Sequence, residues 1–389
     1  MNILDDIFVN IGQWWTNLLS DSLALPDGLV TAINGLVGGL ILALFGTAMV
    51  LVLTYMERKV FSRLQDRIGP NRWGPFGIFQ AIADAIKMLV KEDIVPDNAD
   101  RLLFNLAPVL MVIPAVLLYG VLPFGRGMVG SNLSVGVLYV VAIGSLTSVA
   151  VMTAGWSSSN KYGLLGAFRV IAHLVSYEIP MVLAIASVVL LTGSMSLVDI
   201  VESQPIPNAV LMPVAFIIYM LAGMAELGRS PFDLLEADSE IVAGYFIEYS
   251  GMKFALFFLA EYINMFAIAG IITTLFLSGW KGPFLPTWLW FLIKVFAVVF
   301  VFIWARGSWP RFRIDHMLNF AWKFLVPLAL VNLMVVALID KLVADAGMWV
   351  RLAALLGSNL ILIVITLVIV AWAARRSRST ALQAVAGTR

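Results

Sequence analysis

Six carboxylates crowd into one short stretch of this chain, AELGRSPFDLLEADSEIVAGYFIEYSG: Glu226, Asp233, Glu236, Asp238, Glu240 and Glu248. They are a quarter of its 24 acidic residues, and only Arg229 offsets them there. Like charges this close repel one another, and the repulsion favours the protonated form of some of them. Such a cluster stabilises a protein poorly and handles protons well. Asp233, Glu236 and Glu240 are spaced three and four apart, which puts them on one face of a helix. Arg229 stands three after Glu226 and four before Asp233, placed to pair with either, and Pro231 suits a first helical turn. A solvated acidic loop would account for the charges alone. The neighbouring Phe232, Leu234, Leu235, Ile241 and Val242 argue instead for a tucked-in element.

Other ionisable residues fall inside apolar runs: Glu178 in SYEIP, Glu226 at the end of a span, Glu261 well inside the next, and Lys294 in the one after. A charge at bilayer depth costs ~3 kcal/mol or more, so such residues are paired and tend to be functional. For Glu261 and Lys294 two readings stand, a structural ion pair and a proton-carrying role. His173 reads as a hydrogen-bonded structural histidine rather than a ligand. Near the C-terminal third, ARGSWPRFRIDHML places Arg306, Arg311 and Arg313 beside Asp315 and His316. This cluster serves as cytoplasmic positive charge, as an electrostatic partner for the acidic stretch, or as a docking surface.

The elements that must position these groups are membrane helices. The chain is 61% hydrophobic and 13% charged, against roughly 25% charged for a soluble domain. A span needs about 20 apolar residues. About nine are expected, at 29–56, 105–124, 132–154, 172–193, 208–226, 252–278, 287–306, 320–340 and 350–373. With the N-terminus outside and the C-terminus inside, only Arg126, Lys281, Lys341 and Arg351 fall on outside-facing segments, as the positive-inside rule demands. The fold class is an all-α polytopic membrane protein with an interfacial amphipathic helix. That helix is expected over 76–90, with Phe79, Ile82, Ile86 and Leu89 or Val90 on one side. It reads either as a plain surface anchor or as one lip of an entrance for a lipid-soluble molecule. Residues 1–28 form an N-terminal interfacial segment, 29–340 the membrane domain, 341–373 an additional helix and 374–389 a disordered polar tail. There is no cysteine, which excludes disulfides and cysteine-ligated zinc or iron–sulfur sites. The net charge of +1 gives no case for nucleic-acid binding. No internal repeat is visible, which weighs against many secondary transporters.

The strings ERKVFSRLQDRIGPNRWGPFG, QAIADAIKMLVKED, SYEIP, AELGRSPFDLLEADSEIVAGYFIEYSGMKFALFFLAEY and GSWPRFRIDHML occur in family order over residues from about 29 to 340. In them the chain closely resembles the quinone-site membrane subunit of respiratory complex I, the H subunit of bacterial NADH–quinone oxidoreductase. The resemblance implies a subunit without redox centres in a proton-translocating NADH:quinone oxidoreductase of an energy-transducing membrane, the bacterial inner membrane. It implies quinone as substrate and no cofactor bound by this chain alone. FMN and the iron–sulfur clusters belong to partner subunits, among them the soluble one that carries the terminal cluster, and antiporter-like membrane subunits are further partners. Arg58, Arg67, Arg72, Arg229, Asp233, Glu236, Asp238 and Glu240 match the quinone chamber and its acidic loop. Glu178, Glu226 and Glu261, with Lys294, are expected on the proton-coupling path. Arg306, Arg311, Arg313 and Asp315 are expected in docking or loop pairing.

Four positions depart from the family's usual pattern: Gly228 for Asn, Leu235 for Pro, Asp238 for Glu and His316 for Gln. They bear on the quinone type and the proton energetics, not on the family. The ninth span is also beyond the shortest family pattern of eight. Two other readings stay open, the equivalent subunit of a membrane-bound hydrogenase-type complex and a stand-alone ion-coupled carrier.

Overall fold

The computed structural model describes residues 7–22, 26–233, 244–343 and 347–386. Among them the regular structure is helical throughout, with a single isolated bridge between Gly125 and Met128. An amphipathic α1 (Ile7–Asn17) precedes α2 (Asp27–Leu64), and α3 (Gln80–Val90) lies between α2 and α4 (Arg101–Tyr119). Then come α5 (Gly136–Ser157), α6 (Lys161–Thr192), the short α7 (Leu197–Ser203) and α8 (Asn208–Leu211), and α9 (Pro213–Glu226). The series closes with α10 (Gly251–Phe276), α11 (Thr287–Ser308), α12 (Ile314–Leu342, with a wide turn at Ala321–Leu325) and α13 (Met348–Ala386). Eight of these helices are long and apolar enough to cross a membrane: α2, α4, α5, α6, α10, α11, α12 and α13.

The expected fifth span, 208–226, is broken. Met212 leaves the helical region, and Pro213, which has no N–H to donate, opens a new helix at N1. The resulting α9 has 14 residues, about 21 Å at 1.5 Å per residue, which is short of the hydrocarbon thickness.

Helix α10 is the axis of the bundle, buried almost continuously from Met265 to Phe276 and packed against α2, α4 and α11. Tyr119 of α4 stacks on its Phe266 at 5.7 Å, and Phe45 of α2 meets both edge-on. A second, smaller core sits at the other end of α10, where Phe104 stacks flat on Tyr249 at 4.0 Å and Phe257 meets Tyr249 edge-on. These two cores fix α10 at both ends and hold the ionisable residues of its first half in register.

Three sequence expectations change. The amphipathic helix begins at Gln80, not residue 76: Gly74, Phe76 and Gly77 all take positive φ, so the chain turns there before the helix starts. Residues 229–233 form a turn rather than the first turn of a helix. Gly228, at φ +61°, closes α9 as its N–H reaches Ala225 O and the Arg229 N–H reaches Met224 O, the pairing of a left-handed glycine cap. Finally, the C-terminal helix runs on to Ala386, so most of the expected disordered tail is helical. Arg, Ala, Leu and Gln are good helix formers, and no Gly or Pro interrupts them before Gly387.

Candidate functional site

At one end of the bundle the C-termini of α2, α9 and α11 meet the first half of α10. Glu57 projects from the buried stripe of α2 that also carries Val50 and Leu53. The glycine cap of α9 turns Arg229 inward, where it is only 3% exposed. Its Nη1 donates to both oxygens of Glu57, at 2.8 and 2.9 Å, and its Nε lies 2.9 Å from Glu261 Oε1 on α10. The guanidinium also sits 4.7 Å from the centre of the Tyr262 ring. Arg306, on the last turn of α11, donates to Glu57 from the other side. Among the described residues, two cations and two carboxylates thus form a network whose charges balance, the condition under which such groups tolerate burial. Burial works to lower the pKa of Arg229, but Glu261 and Glu57 outweigh it and hold the guanidinium above its ordinary value. Arg229 therefore stays charged.

The network separates two spaces. On one side is an open pocket of about 670 Å³, lined by Glu57, Arg58, Arg67, Ser230, Tyr262 and Arg306 among others. Arg58 pairs with Asp84 and so ties α2 to α3, while the Tyr55 hydroxyl donates to Phe76 O at 3.1 Å. Ser250, at the head of α10, accepts from the Ile94 N–H at 3.0 Å, and Lys253 holds Asp93 at 2.8 Å. Helix α3 leaves Ile82, Ile86, Leu89 and Val90 exposed. On the other side of Arg229 is a small cavity of about 40 Å³ reached by Glu226 and Glu261. Glu178 lies within electrostatic range of Glu226.

The sequence-derived residues distribute unevenly. Arg58, Arg67 and Arg306 come together at the large pocket, which Arg229 meets only through Glu57, and Glu226 and Glu261 come together at the small one. Arg229 pairs with neither Glu226 nor Asp233, the partners its spacing suggested. Asp233 is instead held by Arg311 at 2.7 Å. Arg72 and Arg313 are exposed, as is Asp315 in the first turn of α12, where an acid favours a helix N-terminus. Glu236, Asp238 and Glu240 lie outside the described residues. Lys294 makes no ion pair with Glu261. Its ammonium donates to Leu277 O, Gly279 O and Lys281 O, at 2.7, 2.9 and 2.7 Å, just past the far end of α10. Those carbonyls stand about 24 Å along the helix axis from Glu261 at 1.5 Å per residue. His173 is buried against Tyr177 and Phe232, and its Nε2 has no hydrogen-bond partner among the described residues.

Sequence reasoning missed Glu57 as the centre of the site: it falls one residue past the expected first span, 29–56. The signal was present: Val50, Leu53 and Glu57 fall at i, i+3 and i+7, which places the carboxylate on a buried helical stripe.

The family model described as NADH dehydrogenase matches residues 37–337. The chain is 50% identical over 319 residues to the NADH-quinone oxidoreductase H subunit of Dehalococcoides mccartyi strain CBDB1, covering 82% of this chain and 89% of that one. It is 51% identical over 302 residues to the corresponding H subunit of Carboxydothermus hydrogenoformans, covering 76% and 86%. The H subunit of Geobacillus kaustophilus is 48% identical over 289 residues, covering 73% and 87%.

Proposed function

This chain belongs to the family of NADH-quinone oxidoreductase H subunits, membrane components of complex I, and from that premise we propose that its Arg229 network couples a quinone pocket to an acidic path in the membrane. Other subunits of the same complex are its partners, and it is a multi-pass membrane protein. The hydrogenase-type and carrier readings are not favoured by these relatives.

The observation that carries the proposal is the double engagement of Arg229, with Glu57 at the large pocket and Glu261 at the small cavity. Quinone reduction consumes two electrons and two protons. Any charge that it places in the pocket beside Glu57, Arg58 and Arg306 acts on Arg229. A guanidinium drawn toward the pocket weakens its hold on Glu261, and one drawn away strengthens it. The signal then passes to Glu226 and, through space, to Glu178. On this reading α3 and the end of α2 frame the quinone entrance, and Asp233 with Arg311 anchors the acidic loop. The electrons arrive from an iron–sulfur cluster in a soluble partner, with FMN further upstream, and antiporter-like subunits carry part of the proton stroke. The basic loops face the cytoplasm of a bacterial inner membrane.

Two experiments test this. A C-terminally tagged chain, extracted in mild detergent, is expected to bring down a flavin-bearing NADH-oxidising arm and antiporter-like chains; recovery alone would overturn the partner assignment. Glu226→Gln and Asp233→Asn are expected to lower quinone reductase activity while the complex still assembles. Normal turnover and normal pumping in both variants would sink the coupling role.

A further inference from the structure

The small cavity beyond Arg229 is lined on its polar side by Thr147 of α5, Glu226, and Glu261 and Asn264 of α10. Its volume of about 40 Å³ is far too small for a quinone ring but holds roughly two or three waters. Glu226 Oε2 is buried and has no hydrogen-bond partner among the described residues. A buried carboxyl oxygen left bare costs about 1–3 kcal/mol, so a partner is expected there. The other oxygen, Oε1, lies over Gly144, 3.3 Å from where a Cβ would stand. Gly144 and Thr147 are three apart on α5, as Glu261 and Asn264 are on α10, so each helix presents its pair on one face.

The hydroxyl of Thr147 is unlike those of other helix threonines. Thr54, Thr153, Thr273 and Thr274 each donate to the backbone carbonyl four residues back. Among the described hydrogen bonds neither Thr147 nor the Asn264 side chain takes a protein partner, and both line the cavity.

We infer that Thr147 and Asn264 are positioning residues that hold a small water cluster between Glu226 and Glu261, with Gly144 leaving room for the Glu226 carboxyl at its edge. The inference rests on the proton-coupling role proposed above. A proton leaves Glu226 Oε2 for the nearest water as the last water of the cluster gives one to Glu261. The net change is a protonated Glu226 and an ionised Glu261 exchanging states, with the water unaltered and no other reactant. A neutral Glu261 no longer attracts Arg229, so the same step reports back to the large pocket.

The test uses the assembled complex in proteoliposomes, with quinone reductase turnover, protons moved per NADH oxidised, and the infrared carboxyl band that Glu226→Gln removes. Thr147→Val and Asn264→Leu are expected to lower coupled turnover roughly tenfold and to shift that band. Thr147→Ser is expected to restore both, which a purely structural role would not require. Gly144→Ala is expected to displace the band alone or with a smaller loss of turnover. If Glu226→Gln abolishes coupling while Thr147→Val and Asn264→Leu leave rate, proton yield and band unchanged, the water-holding role is wrong and the coupling role stands. If Glu226→Gln itself pumps normally, both fall. Should a variant fail to assemble, the wild-type complex decides: a Glu226 band that responds to deuterium oxide within seconds supports contact with water, and one that ignores it overturns the inference.

Discussion

Arg229 carries more of the site than any other side chain, because one guanidinium has donors aimed in several directions while an ammonium is a point charge. Its Nη1 grips Glu57 and its Nε faces Glu261. Removing it leaves Glu57 with only Arg306 as its cation and takes the Arg229 cation from Glu261, and breaking a buried pair costs about 3–5 kcal/mol. Arg229→Met is therefore expected to lower the melting temperature of the complex and to abolish quinone reductase activity. Arg229→Lys, which keeps the charge but not the reach, is expected to recover stability more than activity. Equal recovery of both would show that charge alone suffices. Gly228 makes a parallel case one residue earlier. It holds φ +61° as the cap of α9, a region that glycine enters freely and asparagine tolerates. The departure from the family's usual Asn is thus conservative in backbone terms. Gly228→Asn is expected to cost under about 1 kcal/mol, and Gly228→Val about 1–3 kcal/mol, read as loss of thermal stability. The sequence showed Arg229 as poised to pair but named the wrong partners, because helical spacing reveals only neighbours on one element. Glu57 lies 172 positions away in sequence, and only the packing of α2 against α10 brings it near.

At the scale of elements, apolar length located the spans well, since a membrane helix is written in composition. What composition left unread were the interruptions. The break at Met212–Pro213 and the turn at Gly74–Gly77 depend on single φ values, not on average hydropathy. Gly77 has the least room to give, because a Cβ there would meet backbone, Pro70 O at 2.3 Å. Gly77→Ala is expected to displace the turn that delivers α3 to the pocket edge, raising the quinone KM more than it lowers assembly. An unchanged KM would separate α3 from the entrance. Lys294 is a charge whose depth suggested a proton carrier and whose contacts are those of a cap. Three carbonyls beyond α10 share its ammonium. Lys294→Met is expected to cost stability, about 1–3 kcal/mol for the carbonyls left bare, while protons moved per NADH stay unchanged. A fall in proton yield at normal stability would return Lys294 to the proton path.

At the scale of the whole molecule, the described charged residues gather toward the two ends of the bundle, and at one end Arg229, Glu57, Glu261 and Arg306 form a charge-balanced network. The sorting was legible because loop charge follows orientation; the network was not, because charge balance is a property of side chains brought together from three helices and the turn after α9. Orientation has functional weight here. It decides whether the large pocket opens toward the side where NADH is oxidised. The chain contains no cysteine, so single introduced cysteines give an unambiguous reading. Phe284, 97% exposed on the loop between α10 and α11, and Arg375, exposed beyond the apolar part of α13, report opposite faces on the proposed topology. An impermeant maleimide added to right-side-out membranes is expected to label Phe284→Cys and to spare Arg375→Cys. Inverted vesicles are expected to reverse the pattern. Arg72→Cys, on the loop beside the pocket, is expected to stay protected even in those vesicles until the peripheral arm is stripped with a chaotrope, because on the proposed function one face receives both quinone and the electron-donating subunit. Labelling of Arg72→Cys from outside would turn the molecule over and set the acidic cluster on the wrong face for a shared chamber. Protection that survives stripping would mean instead that the loop closes over the pocket by itself.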